Sequence, residues 1–238
     1  MPESLVDLMM TRPPTPEQPL LGVMILLVED SRLSCEAMRL ICQRSGARIR
    51  RAESLASAER HLRSYRPRVA IVDLGLPDGS GLTLISQLAR SEPRIEAIIA
   101  VSGDDTRAAA AMEAGADIFL PKPLSSISAF QSTVLGLLPA GSRPQRLARP
   151  LEDDVAPDPI ALKNDLSLAA ELLASAVDAE TIIYLTGFLS SLARDADDTA
   201  LEEIAGRVAE IDPGDGGAAR QGRVAAMIRA RIDTLDGI

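Results

Sequence analysis

Three carboxylates, a hydroxyl and an amine stand at the ends of apolar segments in the first half of the chain. Glu29 and Asp30 directly follow one short apolar run, and Asp73 ends another. Ser102 and Lys122 follow two later runs. Three carboxylates that converge repel one another unless a cation joins them, and Mg²⁺ is the divalent ion that prefers such oxygen ligands. With the metal and an amine offsetting charge, one carboxylate could act as a nucleophile and form an acyl phosphate.

The segments that carry these residues alternate between strand and helix patterns. Continuous apolar runs, typical of strands buried on both faces of a parallel sheet, occupy residues 24–28, 69–73 and 97–101. Weaker strands are predicted at 48–52 and 117–120. Helices are predicted at 31–45, 54–65, 81–91, 106–114 and 125–138. Five strand–helix units require parallel pairing with right-handed crossovers. The sequence therefore predicts a doubly wound α/β fold with a five-stranded parallel sheet, and reactive groups at the carboxyl ends of its strands.

Four segments in this order and spacing resemble the receiver domains of two-component response regulators. They are VEDS (28–31), IVDLGLPDGSGL (71–82), VSG (101–103) and ADIFLPKPL (116–124). The resemblance covers residues 23–139 and implies a flavodoxin-like, CheY-like receiver fold. It also implies that a sensor histidine kinase or a phosphotransfer protein supplies a phosphoryl group. The domain would catalyse only its own phosphorylation and dephosphorylation, so no separate enzymatic activity is expected.

The resemblance assigns a role to each residue at the predicted phosphorylation site. Asp73 would be the phospho-acceptor. Glu29 and Asp30 would hold Mg²⁺ together with Asp73, one of the two directly and the other through water. Gly75 would offer its backbone carbonyl to the metal.

Further residues would stabilise and report the phosphoryl group. On the same resemblance Lys122 pairs with that group, and the Lys122–Pro123 peptide bond is cis. The hydroxyl of Ser102 would move toward the phosphoryl group, and Phe119 would rotate into the vacated space as the switch aromatic. Phosphorylation would thereby change the packing of a nearby surface.

Composition shifts divide the rest of the chain. Residues 1–22 contain five prolines and are predicted to be a flexible arm. Residues 140–158 are rich in proline, glycine and charge and are predicted to be a linker. Residues 159–238 show helical patterns only, which predicts a smaller all-α domain. Within it, Thr199 and Glu202 are predicted to form a capping box.

The helical domain leaves several functions open. Residues 140–238 contain eighteen acidic and ten basic residues, a net charge of −8, and amphipathic helices without catalytic motifs. We favour a module that binds protein, either as a homodimer or with a signalling partner. The alternative is a transcriptional regulator with an atypical helix-turn-helix in 197–235, where Arg220, Arg223, Arg229 and Arg231 could contact phosphates. A weaker resemblance, in 188–211, is to histidine-phosphotransfer bundles; Gly206 stands roughly where their phosphorylated histidine would be, so that activity is not expected.

Composition and sequence patterns disfavour nucleic-acid-binding, secreted and membrane-spanning proteins. The net charge of −9 disfavours nucleic acid unless positive charge is gathered in one place. Residues 1–22 lack the pattern of a signal peptide, and no run is long and apolar enough to span a membrane. We therefore expect a cytoplasmic protein, in which Cys35 and Cys42 are reduced core thiols. His61, the single histidine, is expected on a helix surface.

Overall fold

The structure is a computed structural model of the 238-residue chain. It describes residues 13–140, 148, 150, 153–175, 178–212 and 217–235.

Five parallel strands form the sheet predicted for the first half of the chain. They are β1 (Met24–Val28), β2 (Arg48–Ala52), β3 (Val69–Asp73), β4 (Ala97–Ser102) and β5 (Ile118–Pro121). Their order is β2-β1-β3-β4-β5, and every neighbouring pair is parallel. The predicted fold is therefore confirmed. A hairpin that the sequence analysis missed, Gly75–Leu76 paired with Gly79–Ser80, follows β3.

Five helices cover the two faces of this sheet. They are α1 (Arg32–Ser45), α2 (Leu55–Ser64), α3 (Gly81–Ala89), α4 (Ala108–Ala114) and α5 (Ile127–Leu137). Ser31 caps α1 by accepting a hydrogen bond from the Ser34 amide, and Gly46 ends the helix in a left-handed conformation (φ 80°) that favours glycine. Helix α4 starts two residues later than predicted because a short 3-10 turn, capped by Asp104, precedes it.

The alternation of side chains along each strand builds a core on both faces of the sheet. In β1, Ile25 and Leu27 share a core cluster with α1 and α5, whereas Leu26 and Val28 share one with α2, α3 and α4. All four side chains are almost completely buried. Each such side chain contributes about 1.5–3 kcal/mol to folding relative to an exposed one. The two faces together hold the strand ends, and with them the acidic residues, in a fixed arrangement.

Four helices follow in the described residues beyond 158, which confirms the predicted all-α region. Its helices are α6 (Pro159–Ala174), α7 (Ala179–Asp195), α8 (Thr199–Ala209) and α9 (Gly217–Leu235). α6 lies against α9, and α7 lies against α8. Their shared core contains fully or almost fully buried Leu166, Leu185, Leu189, Leu192, Leu201, Val208 and Ile228. Among the described residues, no helix has the length and apolar character required of a membrane span.

The cap of α8 differs from the prediction. Asp198, and not Thr199, is the N-cap residue, and its carboxylate accepts hydrogen bonds from the Ala200 and Leu201 amides. The predicted capping box is therefore wrong, because Leu201, and not Glu202, is the third residue after the N-cap. A carboxylate one residue earlier satisfies the free amides of the helix as well as a hydroxyl would, and it gains an ion pair with Arg231 at 2.7 Å.

The segments predicted as an arm and a linker both contact the sheet domain where they are described. Leu20 is fully buried, and its amide donates to the Ser45 carbonyl oxygen. Asp153 accepts a 2.7 Å hydrogen bond from the Ser128 amide at the start of α5. Val155 is buried in the core cluster that also contains Leu20. Residues 1–12 and most of 141–152 lie outside the described residues.

Candidate functional site

Three carboxylates meet at the carboxyl ends of β1 and β3. Glu29 and Asp30 directly follow β1, and Asp73 is the last residue of its neighbour β3. One oxygen from each of the three residues lies within 4.8 Å of the other two. Glu29 and Asp73 are buried, and Asp30 is half-buried. The structure thus brings together the acids that the sequence analysis selected.

Lys122 lies among these carboxylates, directly after β5. Its Nζ is 2.9 Å from Asp73 Oδ2 and 2.6 Å from Glu29 Oε2. Burial alone lowers the pKa of Lys122, but the carboxylates around it prevail and raise that pKa well above its ordinary value. The carboxylates therefore favour the charged form of the amine. The Lys122–Pro123 peptide bond is cis, as the family resemblance implies.

The remaining predicted residues line the same region. Ser102 is buried at the end of β4, where its Oγ accepts a 3.1 Å hydrogen bond from the Asp104 amide. The Gly75 amide donates to Asp73 Oδ1 at 3.3 Å. A cavity of about 520 Å³ is lined by Asp73, Gly75 and Ser102, among other residues. Phe119 is half-buried against the core cluster of α3 and α4.

The charge and chemistry of this cluster fit a hard divalent cation. When all three carboxyl groups are ionised, they and the one ammonium group carry a net charge of −2 in a largely buried place, and each carboxyl group offers oxygen to a cation. Burial raises the pKa of Asp30 to about 6, with the nearby Asp73 carboxylate adding to the effect. Burial thus disfavours the ionised form of this carboxyl group, and a bound Mg²⁺ would supply positive charge that favours it. Glu29, Asp30 and Asp73 are the residues that could hold it.

Helix α7 of the helical domain covers the same site, which the sequence analysis did not predict. Tyr184 Oη donates a 2.6 Å hydrogen bond to Asp30 Oδ2. Burial and the Asp30 carboxylate raise the pKa of Tyr184 above its usual range, so the hydroxyl keeps its proton. Ser34 Oγ donates to Asp195 Oδ2 at 2.5 Å, near the other end of the helix.

Helix α7 also packs over the residue that follows Ser102. A Cβ atom added at Gly103 would lie 3.3 Å from Arg194 Nη1 and 3.5 Å from Ser191 Oγ. The Ser191 hydroxyl is buried and has no hydrogen-bond partner among the described residues. Gly187 and Phe188 line the cavity above Asp73 on the same side. The approach to Asp73 is therefore bounded by both domains.

Asp165 of α6 joins the two domains at the start of α1. It is completely buried, and its carboxylate accepts hydrogen bonds of 3.0 Å each from Ser31 Oγ, the Arg32 amide and the Leu33 amide. These amides belong to the first turn of α1, whose N–H groups have no partner within the helix. The sequence holds a signal for this contact, because Asp165 lies between Leu162 and Leu166 on the apolar side of α6, where a charge needs a partner.

Comparisons with known proteins agree on the first half of the chain. Residues 25–132 match the family model described as the response regulator receiver domain. The KDP operon transcriptional regulatory protein KdpE of Escherichia coli is 29% identical over 151 residues, which cover 63% of this chain and 62% of KdpE. The virulence transcriptional regulatory protein PhoP of Salmonella typhimurium is 32% identical over 100 residues, 42% of this chain and 45% of PhoP. The chain thus spans less than two thirds of the length of these relatives.

Solved structures overlap with about half of the chain. A two-component response regulator from Clostridium difficile is 20% identical, with a TM-score of 0.45, and the overlap covers 48% of this chain and 94% of that one. A signal receiver domain of a signal transduction histidine kinase from Syntrophus aciditrophicus is 28% identical, with a TM-score of 0.44, covering 49% and 89%.

Proposed function

Because residues 25–132 form a response regulator receiver domain, we propose that the chain is a two-component response regulator that accepts a phosphoryl group on Asp73. The observation that carries this proposal is the cluster of Glu29, Asp30 and Asp73 oxygens with the Lys122 amine 2.9 Å from Asp73 Oδ2. The donor would be a sensor histidine kinase or a phosphotransfer protein.

Each residue of the cluster has a chemical task in this reaction. Asp73 supplies the nucleophilic oxygen, and its carboxylate forms the new bond to phosphorus while the donor leaves. Lys122 offsets negative charge on the transferring group. Glu29, Asp30 and the Gly75 carbonyl would hold Mg²⁺, which when bound neutralises charge on the phosphoryl oxygens. Ser102 would donate its hydroxyl to one of those oxygens, and Phe119 would move in response.

The test of this assignment is a covalent adduct. Incubation of the full chain with acetyl phosphate and Mg²⁺ should give an acid-stable, base-labile phosphoryl adduct, detected by mass spectrometry. Asp73→Asn should abolish it. Asp105→Asn is the matched control, because it makes the same change on an exposed carboxylate just beyond β4 and should leave the adduct intact. An adduct that persists in Asp73→Asn would refute the assignment.

The helical domain would receive the change, since α7 bounds the phosphorylation site, and would pass it to a protein partner. Four large apolar side chains on its helices are exposed: Ile160 (73%), Leu168 (42%), Ile183 (74%) and Met227 (39%). A protein partner, another copy of the chain included, would cover these side chains. Sedimentation of the full chain with and without acetyl phosphate should reveal a change in its state of association.

Transcriptional control is the second candidate, because KdpE and PhoP are named transcriptional regulatory proteins. Two observations support a structural role for α9 within the helical bundle over a role as a DNA-recognition helix. It buries Val224 and Ile228 in the core of its own domain, and Arg231 is paired with Asp198. Retention of a specific DNA fragment by the phosphorylated chain, weakening steeply with salt, would favour the second candidate over the first.

A further inference from the structure

The helical domain reaches the predicted metal site through one hydroxyl group. Tyr184 Oη lies 2.6 Å from Asp30 Oδ2, between residues 154 positions apart in the chain. The Tyr184 ring is held by stacking on Phe188, with ring centroids 5.7 Å apart and planes at 28°. On the receiver side, Arg51 Nη2 donates a 2.9 Å hydrogen bond to the Asp30 backbone oxygen. Both partners of the hydrogen bond are therefore held in place by other contacts.

We propose that Tyr184 is a positioning residue for the metal ligand Asp30, so that docking of the helical domain strengthens Mg²⁺ binding. The inference rests on the proposed function. A carboxylate has two oxygens, and a hydrogen bond to Oδ2 fixes the rotation of the group while Oδ1 stays available for a cation. Residues that orient metal ligands in this way set affinity, and their removal commonly weakens binding by about 10- to 100-fold.

Coupling between Mg²⁺ binding and docking of the helical domain must act in both directions. If the docked helical domain raises the affinity for Mg²⁺, then Mg²⁺ stabilises the docked arrangement by the same factor. The same contact would therefore let the helical domain respond to the loading of the site as well as to phosphorylation. Tyr184 is well placed for this role, because it lies on α7, the helix that also covers Gly103.

The experiment compares the two tyrosines of the chain. Mg²⁺ is titrated calorimetrically into the full-length wild type, Tyr184→Phe and Tyr65→Phe. Phenylalanine keeps the ring of Tyr184 on Phe188 and removes only the hydroxyl. Tyr65 is the matched control, because its buried hydroxyl has no hydrogen-bond partner among the described residues. We expect the dissociation constant of Tyr184→Phe to rise at least about tenfold and that of Tyr65→Phe to stay unchanged.

The possible outcomes separate this inference from the proposed function. A wild type that does not bind Mg²⁺ would contradict the proposed metal site itself. A wild type that binds, with an unchanged or tighter dissociation constant in Tyr184→Phe, would overturn only the positioning role. Thermal unfolding in EDTA provides the second measurement. If Tyr184→Phe lowers the unfolding midpoint and leaves Mg²⁺ affinity unchanged, the hydroxyl is a structural contact and the inference is wrong.

Discussion

Asp165→Ala should loosen the attachment of the helical domain to the proposed phosphorylation site. In the wild type the Asp165 carboxylate accepts hydrogen bonds from Ser31 Oγ and from the Arg32 and Leu33 amides, each 3.0 Å long. Alanine leaves these donors without that acceptor, and it removes negative charge from the N-terminal end of α1, where such charge is favourable. The contacts of α7 at Asp30, Ser34 and Gly103, together with the packing of α6 against α1, would then carry the docking.

The expected loss of docking free energy in Asp165→Ala is the difference between two opposing contributions. Each hydrogen bond to a charged acceptor contributes about 1.5–3 kcal/mol. Against this, burial raises the pKa of Asp165, because its ionised form is poorly solvated, and alanine avoids that cost. We expect a net loss of about 2–4 kcal/mol in docking free energy, which corresponds to roughly a 30- to 1,000-fold change in the docking equilibrium.

Amide hydrogen exchange measured by NMR can detect this change at the residues concerned. The Arg32 and Leu33 amides should exchange faster in Asp165→Ala. Asp178→Ala is the matched control, because Asp178 caps α7 of the same domain from a fully exposed position and bonds the Thr181 amide. It should leave exchange at α1 unchanged.

Two results would contradict this reasoning. Unaltered protection of the two amides in Asp165→Ala would mean that the domain docks without the carboxylate. Equal loss of protection in Asp178→Ala would mean that general instability of the helical domain, and not the buried contact, controls exchange.

Two further predictions concern the proposed phosphorylation site itself. Since burial raises the pKa of Asp30 to about 6, a proton competes with Mg²⁺ below that pH, and calorimetric titrations should show an affinity that falls with decreasing pH, by a factor that approaches about ten per pH unit below 6. An affinity that is constant over this range would show that Asp30 is not a ligand. Lys122→Ala should slow adduct formation from acetyl phosphate by about 100-fold in saturating Mg²⁺, because a charge-stabilising group is lost; an unchanged rate, with the circular dichroism spectrum preserved, would remove Lys122 from the reaction.

Much of the receiver half could be predicted from sequence because its signals are local. The runs 24–28, 69–73 and 97–101 are apolar at every position or nearly so, which is typical of strands covered on both faces. Parallel pairing then places the residues after each run at one edge of the sheet. For that reason the cluster of Glu29, Asp30 and Asp73 followed from the order of elements alone.

The predicted helix starts were wrong where two alternative local structures have similar free energies. Asp198 and Thr199 are both good caps for α8, and the ion pair with Arg231, 33 residues away, favours the aspartate. The 3-10 turn before α4 similarly depends on the Asp104 side chain, which accepts from the Thr106 amide. A pattern of apolar residues does not distinguish such alternatives.

The arrangement of the two domains was decided only in the tertiary structure. Asp165 meets α1 across more than 130 residues, and Tyr184 meets Asp30 across 154. Taken alone, Tyr184 could equally face solvent on a helix, and the apolar neighbours of Asp165 indicate its burial without identifying its partner. Whether a polar group is exposed or buried against a partner depends on which helix faces pack together, and that packing is a property of the whole fold. The sequence by itself therefore determined which acidic residues and which amine meet at the edge of the sheet, and the tertiary structure decided that the helical domain lies over them.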